Sequence, residues 1–177
     1  MKYIFIHGLG QDSSAWNETV SLIKIKKSIS TDIECPNLFA LLNGEEITYT
    51  NLYRAFSDYC GNFPEPLNLC GLSLGGILAL NYTVDNPDKV QSLALIGTQY
   101  KMPKILLKFQ TALFKILPKS FFRKNGVEKE NFLKTFLALM NTMYDLDFSG
   151  NLKEISCDTL ILCGDKDTAN KKAAKYL

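Results

Sequence analysis

The sequence predicts an α/β domain: a mostly parallel sheet with helices on both faces. Three observations carry this expectation. Short apolar runs alternate with segments of helical spacing along most of the 177 residues. Several of the runs are continuously apolar, as in strands buried on both faces. One run, 67–70, leads straight into Gly71-Leu72-Ser73-Leu74-Gly75 and then a helix, a strand–turn–helix unit.

The elements follow in order. Tyr3 to His7 is an apolar run entering a Gly-rich turn and reads as the first strand. Ser13 and Ser14 can cap a helix running to about Lys27. Ser28 to Cys35 reads as a strand stopped by Pro36, which cannot donate to a ladder. Thr48 to about Cys60 reads as a helix, with Leu52, Ala55, Phe56 and Tyr59 at helical spacing; Gly61-Asn62 and Pro64 and Pro66 end it. Leu67 to Cys70 is the third strand, and Gly75 to about Val84 the next helix, closed by Asn86-Pro87. Val90 to Ile96 and Thr159 to Cys163 are the fourth and fifth strands, with a short helix from Ala169 to the end. Residues 101–147 interrupt the alternation and read as two helices, one between Pro103 and Pro118 and one from about Glu128 to Tyr144. In the first, Lys104, Lys108 and Lys115 share a face opposite Leu106, Phe109, Leu113 and Leu117. From 101 to 127 there are seven basic residues and no acidic ones. A solvated helix face explains that run more simply than an anionic membrane surface.

An apolar content of 46% and a charged content of 21% suit a globular chain, and a net charge of +2 suggests no nucleic acid or other polyanionic partner. Cys35, Cys60, Cys70, Cys157 and Cys163 are odd in number and show no C-x-x-C spacing, which argues against a disulfide framework or a metal site. Cys70 and Cys163 lie in apolar runs and read as buried thiols, in keeping with a reducing, cytoplasmic setting. The N-terminus shows no cleavage-site pattern, and no run reaches the ~20 apolar residues that span a bilayer. Nothing in the sequence sets the oligomeric state.

Three motifs carry chemistry. In G-x-S-x-G between a strand and a helix, the serine passes through a sharp turn that exposes its hydroxyl above the sheet edge. Side chains two residues to either side would collide, hence Gly71 and Gly75. Ser73 is the candidate nucleophile, and the Leu74 N–H, at a helix N-terminus, can hold a developing oxyanion. His7-Gly8-Leu9-Gly10 can turn a second N–H, that of Leu9, toward the same point. His7 reads as a brace for this turn rather than as a base. Leu160 to Asp167 is a strand ending in a turn with two aspartates; Asp167 is the candidate acid, with Asp165 the fallback and helix capping the plainer alternative.

Together the HGLG turn followed by Trp16, the GLSLGG elbow, the Asn86-Pro87-Asp88-Lys89-Val90 link and the GDKD turn resemble the α/β-hydrolase family, in order and over nearly the whole chain. The likeness is to small bacterial esterases and lactonases. It implies Ser73 as nucleophile, Asp167 as acid, Leu9 and Leu74 as oxyanion donors, no cofactor, and 101–147 as a helical cap inserted into a core of 1–100 and 148–177 within one domain, 1–177. It implies a small ester, thioester or lactone as substrate, with acyl transfer or ligand binding without catalysis as alternatives. It also implies a histidine after the acid, on a final loop that follows one more helix and strand. His7 is the sole histidine. The chain is therefore expected to be a fragment that lacks the last strand and helix, and to be nearly inactive by itself; it also begins at what resembles the family's third strand, without the leading hairpin, as compact members do.

Overall fold

Five strands pair in the order β2-β1-β3-β4-β5, every neighbouring pair parallel, in the computed structural model of the chain. The structure describes residues 1–27, 32–102 and 129–177. The strands are β1 (Lys2–Ile6), β2 (Asp32–Glu34), β3 (Leu67–Leu72), β4 (Val90–Ile96) and β5 (Asp158–Leu162). The helices are α1 (Asn17–Lys27), α2 (Leu38–Leu41), α3 (Tyr49–Gly61), α4 (Leu74–Asp85), α5 (Lys129–Met143) and α6 (Lys171–Ala174). A parallel sheet joined through helices is the layered arrangement that the alternation of the sequence predicts.

Register fixes the two faces. Ile6, Gly71, Leu95 and Ile161 are successive partners across β1, β3, β4 and β5. With Ile4, Leu69 and Leu93 they form the floor of the main core, against Leu52 and Phe56 of α3 and Leu78 and Leu80 of α4. The other face runs Phe5, Cys70, Ala94, Leu160. Trp16 packs edge-on against Phe5 there, ring centroids 5.1 Å apart. Cover on this face thins toward β5, where Leu160 and Leu162 are 55% and 44% exposed.

Local chemistry explains the helix ends. Thr48 caps α3 by accepting the Asn51 N–H on its side-chain oxygen at 3.1 Å. Leu52, Phe56 and Cys60, four residues apart, form its buried stripe. α4 is buried on nearly all sides and stops at Asn86-Pro87. α5 buries Phe136, Leu139 and Met143. Its Thr142 hydroxyl accepts the otherwise orphan N–H of Tyr49 at the start of α3, at 2.8 Å.

Several expectations are corrected. The cap at the start of the first helical stretch is Asp12, whose carboxylate accepts the Ser14 N–H at 2.8 Å, not Ser13 or Ser14. That stretch opens as a 3-10 turn, Ser13–Trp16, before α1. α2 was not anticipated, and the final helix is confined to Lys171–Ala174. The buried thiol is Cys60, raised to about 12 by burial; Cys70 and Cys163 are half-buried. Of the two helices expected in 101–147, the first lies outside the described residues and the second is α5. The stems of this segment are clasped by a short antiparallel bridge. Met102 N–H donates to Leu146 at 3.0 Å, Phe148 N–H donates to Tyr100 at 2.8 Å, and Lys101 pairs with Asp147.

Candidate active site

Ser73 stands alone between β3 and α4, exposed, with φ 52° and ψ −110°. A non-glycine residue in this left-handed region is strained and persists only where its surroundings impose it. Here they do. The Ser73 N–H donates to Ile96 O at 2.9 Å, and Ser73 O accepts the Ile77 N–H at 3.0 Å as the first bond of α4. The glycines let the helix sit this close. A Cβ on Gly71 would lie 2.4 Å from Gly75 O, and one on Gly75 would lie 2.3 Å from Ile6 O. The Leu74 N–H is at the positive end of the twelve-residue α4. Among the described residues it has no acceptor, and neither has that of Leu9.

The turn after β1 lies directly beside the serine: a Cβ on Gly8 would be 3.6 Å from Ser73 Cβ. Its shape is set by three bonds. Gly8 N–H donates to Gln11 Oε1 at 2.9 Å, Gln11 N–H returns to Gly8 O at 3.3 Å, and His7 Nδ1–H donates to Gly8 O at 2.9 Å. The other ring nitrogen, His7 Nε2, accepts the Leu38 N–H at 3.1 Å. These partners fix a neutral Nδ1–H tautomer. His7 is fully buried, and burial lowers its pKa from 6.5, against the smaller opposing pull of the Gly8 carbonyl and Asp12. With both nitrogens engaged, it braces the turn and has none free to take a proton from Ser73.

The buried neutral state of His7 has a consequence for stability. Its folded pKa lies below the unfolded value of 6.5, so the unfolded chain binds more protons on acidification. Stability is fully kept above about pH 6.5 and is lost as pH falls through that value. The urea midpoint should therefore drop between about pH 7.5 and about pH 5.5. His7→Asn should flatten that drop; an unchanged pH slope in the variant would show that His7 is not its cause.

The third group sits two strands away. β5 is followed by a turn in which Asp167 N–H donates to Gly164 O at 2.9 Å. Asp165 is exposed at its tip, whereas Asp167 is half-buried, its Oδ2 3.3 Å from where a Cβ on Gly97 would be. Gly97 itself follows β4 and donates to Leu162 O at 2.9 Å. Ser73 and Asp167 thus share the C-terminal edge of the sheet at the ends of β3 and β5, with β4 between. At about 4.8 Å per strand the ends of β3 and β5 are roughly 10 Å apart. Asp167 also does the capping work of the plainer alternative, since Oδ1 accepts the Asn170 N–H at 3.1 Å.

Sequence reasoning missed four residues at this edge. Gln11 clamps the first turn. Phe132 of α5 lies against Gly10, a Cβ on which would be 2.9 Å from the ring, so the 101–147 segment touches that turn. Asn170 Nδ2–H donates to the Asp167 carboxylate, and Gln99 in turn donates to Asn170 Oδ1. Among the described residues no cluster of three or more His, Cys, Asp or Glu side chains could hold a metal ion, and no helix is long and apolar enough to cross a membrane.

The comparisons agree with this fold. A family model described as the alpha/beta hydrolase fold matches residues 64–146, which include the elbow. A pimeloyl-[acyl-carrier protein] methyl ester esterase of Chromobacterium violaceum is 49% identical over 37 residues, 21% of this chain and 15% of that enzyme. A carboxylesterase structure from the thaumarchaeon Nitrososphaera gargenis superposes with a TM-score of 0.78 at 16% identity, covering 98% of this chain and 75% of that one. A bacterial membrane phospholipase A gives a TM-score of 0.68 at 19% identity, covering 93% of this chain. The chain spans 62% of that phospholipase's length. The parallel sheet, the glycine-flanked Ser73 turn and these matches lead to one conclusion: the chain has the α/β-hydrolase fold.

Proposed function

We propose that the chain carries the nucleophile and acid of a serine hydrolase acting on a small carboxylic ester, thioester or lactone. The observation that carries this reading is the strained, exposed Ser73 at the N-terminus of α4, with the Gly8 turn beside it. Ser73 Oγ attacks the substrate carbonyl. The N–H groups of Leu9 and Leu74 receive the negative charge of the tetrahedral oxygen. A histidine oriented by Asp167 takes the serine proton and returns it to the leaving group, and water then releases the acyl group by the same route. His7 is fully engaged and the sequence has no second histidine, so on this reading the base comes from outside these 177 residues. The segment 101–147 acts as the cap, with Phe132 reaching the oxyanion turn. The local identity to a methyl ester esterase supports an ester, and the five free cysteines support a cytoplasmic setting.

A second reading, a ligand-binding protein without catalysis, is favoured by the engagement of both His7 nitrogens. A fluorophosphonate probe separates the two in protein from its natural source. The expected result is a covalent adduct on Ser73, absent from Ser73→Ala. A folded protein that takes no label would overturn the enzyme reading and leave the binder.

A further inference from the structure

Asp167 is held by more than the turn it closes. A residue that only caps a helix needs one carboxylate oxygen, and Oδ1 serves by accepting the Asn170 backbone N–H at 3.1 Å. The second oxygen, Oδ2, accepts the side-chain Nδ2–H of the same Asn170 at 2.8 Å. The Asn170 amide is oriented from its far side. Gln99 donates its Nε2–H groups to Asn170 Oδ1 at 2.8 Å and to the Ala169 carbonyl at 3.0 Å. A donor against Oδ1 turns the NH2 edge toward Asp167, so the amide has one satisfied orientation. A carboxylate oxygen accepts two hydrogen bonds, which leaves each Asp167 oxygen capacity for a further donor. Gln99 lies between the end of β4 and the Tyr100–Phe148 clasp, so the relay ties the stem of the 101–147 segment to the carboxylate.

We propose that Asn170, locked by Gln99, is the positioning residue of the site: it fixes the Asp167 carboxylate so that one lone pair stays aimed at the space between the ends of β3 and β5. This rests on the reading of Asp167 as the acid. The alternative role for Asn170 is a turn stabiliser with no bearing on chemistry.

The test is Ser73-dependent hydrolysis of p-nitrophenyl acetate by the full chain in added imidazole, paired with side-chain amide NMR. Asn170→Asp keeps the shape and the backbone N–H but sets an acceptor against Oδ2. It is expected to lower kcat by about tenfold or more with KM unchanged, the size of a lost charge-assisted hydrogen bond. Gln99→Leu should lower kcat less, in the same direction. A fall in Tm with kcat intact in both variants would overturn the proposal. Asp167→Asn tells its failure from that of the acid assignment. Loss in Asp167→Asn without loss in Asn170→Asp removes the positioning role alone, whereas an unchanged Asp167→Asn removes the acid and the positioning role together. Where Ser73-dependent turnover stays undetected, the NMR measurement decides. Asn170 NH2 signals displaced from free-amide positions, and moved by Asp167→Asn and Gln99→Leu, support the relay. Signals at free-amide positions in the wild type overturn it.

Discussion

Gly75→Ala is expected to lower Tm by about 10 °C and to leave Ser73 unreactive toward a fluorophosphonate. The added Cβ would stand 2.3 Å from Ile6 O and 2.7 Å from His7 O. Both are backbone atoms at the end of β1, so no side chain can rotate aside. Either α4 lifts from the sheet or the β1 turn moves, and both shift Ser73 against the Gly8 turn beside it. Overpacking of this kind costs about 3 kcal/mol, and each kcal/mol moves Tm by roughly 2–4 °C at this chain length. Gly61→Ala is the matched control: it ends α3 with nothing within 4 Å of the new atom, so its Tm should hold or rise slightly. A Gly75→Ala protein with wild-type Tm would mean that the elbow is looser than these distances require.

The second large effect concerns turnover. Hydrolysis of p-nitrophenyl acetate by the 177-residue chain should lie near the detection floor, since loss of the histidine from such a triad costs on the order of 10⁶ in kcat. Free imidazole should raise the rate in a saturable way, and Ser73→Ala, which keeps the imidazole background, should remove the gain. The reason is geometric. Ser73 and Asp167 follow β3 and β5 at the same edge of the sheet, and on the proposed reading an imidazole between them would stand in for the base. Enzyme-like turnover without imidazole, abolished by His7→Ala, would overturn this account and make His7 the base despite its two bonds.

The parts of the fold legible in the sequence are those written in local pattern. β4 matches its expected bounds because a continuous apolar run is closed by Lys89 on one side and Gly97 on the other. The strand–serine–helix unit was legible because glycine at 71 and 75 answers a steric demand that the structure shows at 2.4 and 2.3 Å. α2 was illegible because one turn, Leu38–Leu41, is too short to display a period. The first cap was misplaced because Asp12, Ser13 and Ser14 are all capping residues and sequence alone does not rank them. Cys70 was read as buried from its apolar run, yet it faces the thinly covered side of the sheet. At the site, Ser73, Asp167 and the two turns could be nominated from motifs. The Gln99–Asn170 pair could not, because two amides 71 residues apart leave no local trace.

The backbone of Ser73 also narrows which side chains position 73 can carry. At φ 52° a branched Cβ crowds the preceding carbonyl. Threonine, though it offers the same hydroxyl, is therefore disfavoured by conformation rather than by reactivity. Cysteine, unbranched and one atom type away, fits the same turn. The backbone at position 73 therefore favours serine or cysteine over threonine.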